Sequence, residues 1–179
     1  MKRTMTVSLA VLLCGLVITL TAVEVLAANP ATISVTVTIQ SLSVTATGPL
    51  AFGTVLASSE TVSTDSSHVV NAGNVAETYA IKLTNPGGWT ATSGAPGSET
   101  YRLSAQFNAT KPTAVSFDAD TYLTTSDQTS SATIFAGDQT GLAVAASAAR
   151  YLWIKFEAPT STTVTTEQDI TVTITASAA

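Results

Sequence analysis

The chain has 179 residues, a net charge of −5, and seven Lys or Arg against twelve Asp or Glu. That length is one domain's worth, and so few scattered cations exclude the basic patch that nucleic-acid binding needs. A single cysteine excludes a disulfide framework.

Residues 1–27 read as a secretory signal peptide. Lys2 and Arg3 supply the positive start, residues 5–23 the apolar core, and Val25-Leu26-Ala27 the small-residue cleavage site before Ala28. Glu24 lies unusually close to the cut. The alternative is a retained anchor, because the apolar run is nearly long enough to span a bilayer. Cys14 is preceded by Leu13, where a lipoprotein signal wants a small residue. Cleavage removes Lys2, Arg3, Cys14 and Glu24. The mature chain is then free of cysteine and carries a net charge of −6. It is expected outside the cell or at its surface, with no membrane segment. Ser and Thr make up about a third of it. Because they alternate with Val, Ile and Leu, and mean hydropathy is positive, the composition points to strands with hydroxylated outer faces and not to disorder.

The first predicted strand is ATISVTVTI, residues 31–39. Ile33, Val35, Val37 and Ile39 form one apolar edge, and Thr32, Ser34, Thr36 and Thr38 a polar one. At Gln40-Ser41 the phase slips, and Leu42, Val44 and Ala46 continue on even positions. A bulge, bend or crossing between sheets accounts for such a slip. Further strands are predicted over 50–57, 66–74, 76–85, a short piece at Trp89, 100–109, 132–137, 150–158 and 169–176. Residues 141–150 are alanine-rich and fit a helical turn or a loop. About ten short strands at this spacing predict an all-β fold, a single antiparallel β-sandwich of immunoglobulin-like or jelly-roll type. The expected organisation is signal peptide 1–27, an N-terminal strand within 28–41, and a sandwich over 42–179.

Leu50-x-Phe52-Gly53-x-Val55, followed by Val69-x-Asn71-x-Gly73-Asn74, resembles the F-G-x-V and N-x-G-N pattern of immunoglobulin-like sandwich domains in secreted bacterial surface proteins. The arrangement is also similar to camelysin-type biofilm-matrix fibre proteins. The likeness spans residues 42–85 and implies a structural or adhesive role. Read physically, Phe52 and Val55 enter the core, Gly53 permits a bulge, and Asn-x-Gly-Asn makes a turn.

Signals for chemistry are sparse. Asp65-Ser66-Ser67-His68 holds the residue types of a catalytic triad, crammed into four positions that cannot converge. No cluster of acids marks a cleft, so no enzyme is expected. Asp118 and Asp120, with Asp127 beyond, are the weak candidates for a calcium site, but the full loop pattern is missing. Otherwise no metal or cofactor is expected. Trp153 shares an outward face with Tyr151 and Lys155, opposite Leu152, Ile154 and Phe156. Tyr151 and Trp153 therefore mark a partner-contact patch, for instance for surface glycans, unless a loop covers them. Trp89 reads as a core plug. Asn108-Ala109-Thr110 is a glycosylation sequon. Lys82 and Lys155, conceivable isopeptide donors, alternate with core residues and are expected to face outward.

Burying four Val or Ile side chains stabilises by roughly 6–12 kcal/mol as an upper bound. The apolar edge of 31–39 therefore has two homes: the first strand of its own sandwich, or a groove in a neighbouring copy, donor-strand fashion. Its place at the new N-terminus favours the second. Head-to-tail exchange then builds an open homopolymer, an extracellular filament or matrix. The alternative is a monomeric adhesin or carbohydrate-binding module.

Overall fold

A computed structural model describes residues 31–179; the signal-peptide segment and Cys14 lie outside the described residues. The regular structure of the described residues is mostly strand, in two sheets, with almost no helix. Among the described residues there are nine strands: β1 (Val44–Ala46), β2 (Glu60–Val62), β3 (Ser67–Asn71), β4 (Glu77–Thr84), β5 (Thr90–Ala91), β6 (Thr100–Phe107), β7 (Gln128–Thr129), β8 (Ala149–Glu157) and β9 (Thr171–Ala178). The larger sheet runs β1-β3-β8-β6-β5, with β2 also on β8; the smaller runs β7-β4-β9. All pairings are antiparallel except β5 with β6. β2 and β3 lie on the same side of β8, at Lys155–Glu157 and Ala149–Leu152 respectively. Between them Ser63 N–H donates to Ile154 O at 2.8 Å and holds the kinked run against β8.

Period-two alternation explains the core. From β4 come Tyr79, Ile81 and Leu83; from β6, Tyr101, Leu103, Ala105 and Phe107; from β8, Leu152, Ile154 and Phe156, all buried. These side chains of both sheets meet in one cluster, so the hydrophobic effect drives both sheets together. Trp89 stacks on Phe156 at 5.9 Å, the plug expected of it, and its Nε1 donates to Thr162 Oγ1 at 3.0 Å.

Several predicted strands are absent. Residues 31–39 belong to no strand. Residues 50–57 follow the core irregularly: Leu50, Phe52 and Val55 pack against it, while Gly53 takes φ +64°. Residues 132–137 turn, with Phe135 at φ 58° and buried. The alanine-rich 141–150 stretch is a loop leading into β8, bent at Ala143 and Ser147, both at positive φ.

The outer face of the larger sheet is not a solvent face, and two sequence expectations change here. Residues 108–117 cross over it. Trp153 is 8% exposed and its Nε1 donates to Asn108 O at 2.9 Å. Gln106 is pinned to Ser116 and Ala136 carbonyls. Lys155 points outward, as its alternation requires, yet is 4% exposed: Ala114 O accepts from its Nζ at 3.3 Å, and Phe117 lies beside it. Its charge is answered by Glu157 at 2.9 Å, which also takes a two-pronged bond from Arg102, at 3.0 and 2.5 Å. Burial alone would push the Glu157 carboxyl up; the hydrogen bonds from Arg102 and Lys155 outweigh it and hold the group below its usual 4.5.

Two stability predictions follow from this packing. Ile81→Ala, at a fully buried centre of β4, should lower unfolding free energy by about 2–5 kcal/mol in a urea titration. A carboxylate with a depressed folded pKa contributes stability above its ordinary pKa and loses it as pH falls through the folded value. The unfolding midpoint should therefore drop on acidification from about pH 6 to about pH 3, and Glu157→Gln should flatten that drop.

Candidate functional site

Among the described residues, 31–39 carry the longest alternating row of exposed large apolar side chains. Ile33, Val35, Val37 and Ile39 are 89, 81, 79 and 79% exposed. Among the described residues, no ladder includes this segment. Exposed large apolar groups in a row mark a contact surface, whereas single ones do not.

The chain just after this row is fastened to the β3–β4 turn. Asn74 Nδ2 donates to Ile39 O at 2.8 Å, and Ser41 N–H donates to Asn74 Oδ1 at 2.8 Å. Asn74 N–H returns a bond to Ser41 O at 3.1 Å. Two residues on, Ser43 N–H donates to the buried Glu77 Oε1 at 2.7 Å, and Ala72 N–H donates to Ser43 O at 2.7 Å. Asn71 shapes the turn from inside. It is fully buried, accepts from Gly73 N–H at 2.9 Å, and donates to Val75 O and Val144 O, both at 2.8 Å. Gly73 has no room for a side chain, since a Cβ would stand 2.5 Å from both Ser41 O and Glu77 Oε1. The N-x-G-N stretch is a turn, as its residue types predict. Its second task, gripping the backbone of 39–43, was not legible, because nothing in the spacing says which distant backbone an asparagine amide reaches.

The second feature is the edge of the smaller sheet. Among the described residues β9 pairs only with β4, in the register Tyr79↔Ala176, Ile81↔Ile174 and Leu83↔Val172. The β4 members of those pairs are at most 1% exposed, whereas Ala176, Ile174 and Val172 are only partly buried. The backbone alternation is fixed too. Glu77, Tyr79 and Leu83 send their N–H groups away from β9, to Val144 O, Gly141 O and Thr124 O. Ladder bonds to β9 therefore come from the intervening residues, and the N–H and C=O groups of Val172, Ile174 and Ala176 face the free side.

The other sequence candidates do not assemble into sites. Asp118 Oδ1 accepts from Asp120 N–H at 3.1 Å in a short 3₁₀ turn, while Asp127 pairs with Lys82 at 3.1 Å. Among the described residues no group of three or more His, Cys, Asp or Glu is placed to hold a metal ion. Ser67 Oγ donates to Thr47 O at 2.6 Å and the His68 ring meets Tyr151 edge-on at 4.4 Å, so these side chains form no triad. Tyr151 is half-buried by that contact, and with Trp153 under residue 108 the two do not form an exposed aromatic patch. Asn108 Oδ1 is engaged by Asp138 N–H at 2.7 Å.

No protein-family model, no curated protein and no solved structure matches the chain. Any functional reading rests on the two features above.

Asn74→Ala removes the two side-chain bonds to Ile39 and Ser41, each worth about 0.5–1.5 kcal/mol. Amide exchange at Ser41 should quicken by about tenfold, with little change in the exchange of β4 and β6, as read by hydrogen–deuterium exchange.

Proposed function

We propose that this chain is an exported structural subunit of an extracellular filament, a pilus-like fibre or matrix, which polymerises by donating residues 31–39 to a neighbouring copy. In this reading residues 1–27 are a cleaved leader. The two sheets form the β-sandwich that receives one donor and offers another, and the polymer needs no metal, cofactor or catalytic residue. The observation that carries the reading is the row Ile33, Val35, Val37 and Ile39, about four-fifths or more exposed, at a free-energy cost no isolated domain gains from. A donated strand recovers that cost through backbone ladder bonds and alternate side-chain pockets. Chain chemistry supports it. Residues 31–39 contain no charge and no proline, so nothing in them prevents strand addition.

The reading is tested on the exported chain. Replacing Ile33, Val35, Val37 and Ile39 together by Ser should abolish filaments in negative-stain micrographs and oligomers that resist SDS at room temperature. The melting temperature of the folded unit should stay within a few degrees. Filaments that persist at wild-type abundance in the fourfold variant would refute the reading.

A further inference from the structure

Resting on that reading, we propose that the free side of β9 is the acceptor, and that residues 31–39 of a second copy add there as the next strand of the smaller sheet.

β9 is the longest free edge among the described residues: it has eight residues, whereas β1 at the end of the larger sheet has three, and β5 and β7 have two each. The donor segment matches it in length. An exposed edge is ordinarily blunted by charge, proline or a bulge. β9 reads TVTITASA, with none of the first two, and pairs with β4 in unbroken one-to-one register. Its outward residues, Thr171, Thr173, Thr175 and Ser177, are uncharged, like the Thr and Ser face of the donor.

The edge is also short of cover on its apolar face. Val172, Ile174 and Ala176 are only partly buried, although each stands opposite a fully buried residue of β4. Besides β4, the named strand whose backbone comes near β9 is β1, and its Val44 is likewise only partly buried. One more strand beside β9, presenting apolar side chains on alternate residues, would cover this side. The free N–H and C=O groups of Val172, Ile174 and Ala176 would be its ladder partners, and Ile33, Val35, Val37 and Ile39 would lie over the core beside their side chains. A same-copy occupant is the competing arrangement, and the test separates the two.

The full chain carries one cysteine, so a Cys14→Ser background makes engineered disulfides unambiguous. Thr36→Cys on the donor's polar face is combined, in separate chains, with Thr171→Cys, Thr173→Cys or Thr175→Cys. At least one pair should convert the exported polymer, under mild oxidation, into a reducible ladder of dimers, trimers and longer species on gels. Each single-cysteine chain should stop at dimers. As a second arm, Ala176→Pro removes an edge-facing N–H while leaving the bonds to β4 in place, a substitution edge strands tolerate. It should cut filament yield at least tenfold while the unit stays folded by circular dichroism. Filaments without a ladder in any pair, disulfides confined to the monomer, or wild-type filament yield in Ala176→Pro would each overturn the β9 assignment and leave the donor reading standing. A wild-type chain that forms no polymer overturns both.

Discussion

A β-strand has to satisfy two accounts at once: its backbone must be paired on both sides or wetted, and its apolar face must be covered. β4 meets both, with β7 and β9 as neighbours and Tyr79, Ile81 and Leu83 sealed in the core. β9 meets half of each. Its backbone is paired toward β4 and, among the described residues, has no ladder on the other side, and its apolar side chains are half covered. Residues 31–39 have the converse deficit, an apolar row with neither ladder nor cover. Two deficits of the same length and period on one chain are physically complementary. The proposed polymer is the arrangement in which a single contact removes both.

The larger sheet shows how the same chain behaves where exposure is unwelcome. Its outer face carries Ser104, Gln106, Trp153 and Lys155, and residues 108–117 are spent covering them. The lysine ammonium is tied to Glu157 and to a carbonyl, and Arg102 completes the network. A buried charge of this kind stays only because partners answer it, since removing one leaves the other stranded. Covering a polar face with a long loop and leaving an apolar row open are opposite treatments within one small protein. The contrast makes the open row a feature of the sequence and not an accident of a poorly covered fold.

Alternation made most of the sheets legible from sequence: β4, β6, β8 and β9 lie within two residues of where the period places them, and β3 starts one residue late and stops three early, where its turn begins. It also gave the correct inward and outward sides of β8. It misled at 50–57 and 132–137, where apolar residues reach the core from irregular backbone and positive φ angles break the ladder. Periodicity reports which side chains want burial; it cannot say whether a partner strand is near enough to bond. It also could not say that Lys155 and Trp153 would be roofed over, because the roof is built from residues some 40 positions away in the chain. The apolar row at 33–39 was plain in the sequence. The edge proposed to receive it was not, since an edge is a property of strand order.

The phase slip at Gln40-Ser41 ties these observations into one design. Side chains on a strand alternate faces, so a shift of one residue turns every following side chain over. Odd residues from Ile33 to Ile39 form the apolar row; after the slip the even residue Val44 packs against the chain's own core. A continuous period-two strand could not serve two separate cores in this way, because its apolar side would keep one phase throughout. The slip is where the chain changes allegiance, and it is there that Asn74 holds Ile39 and Ser41 and that Gly73 lets the backbone pass within touching distance. Fixing that junction limits the directions in which the preceding residues can leave, which lowers the ordering entropy a donated strand must lose on binding. The turn that reads in sequence as simple punctuation is, in structure, the fixed end of the segment on which the proposed assembly depends.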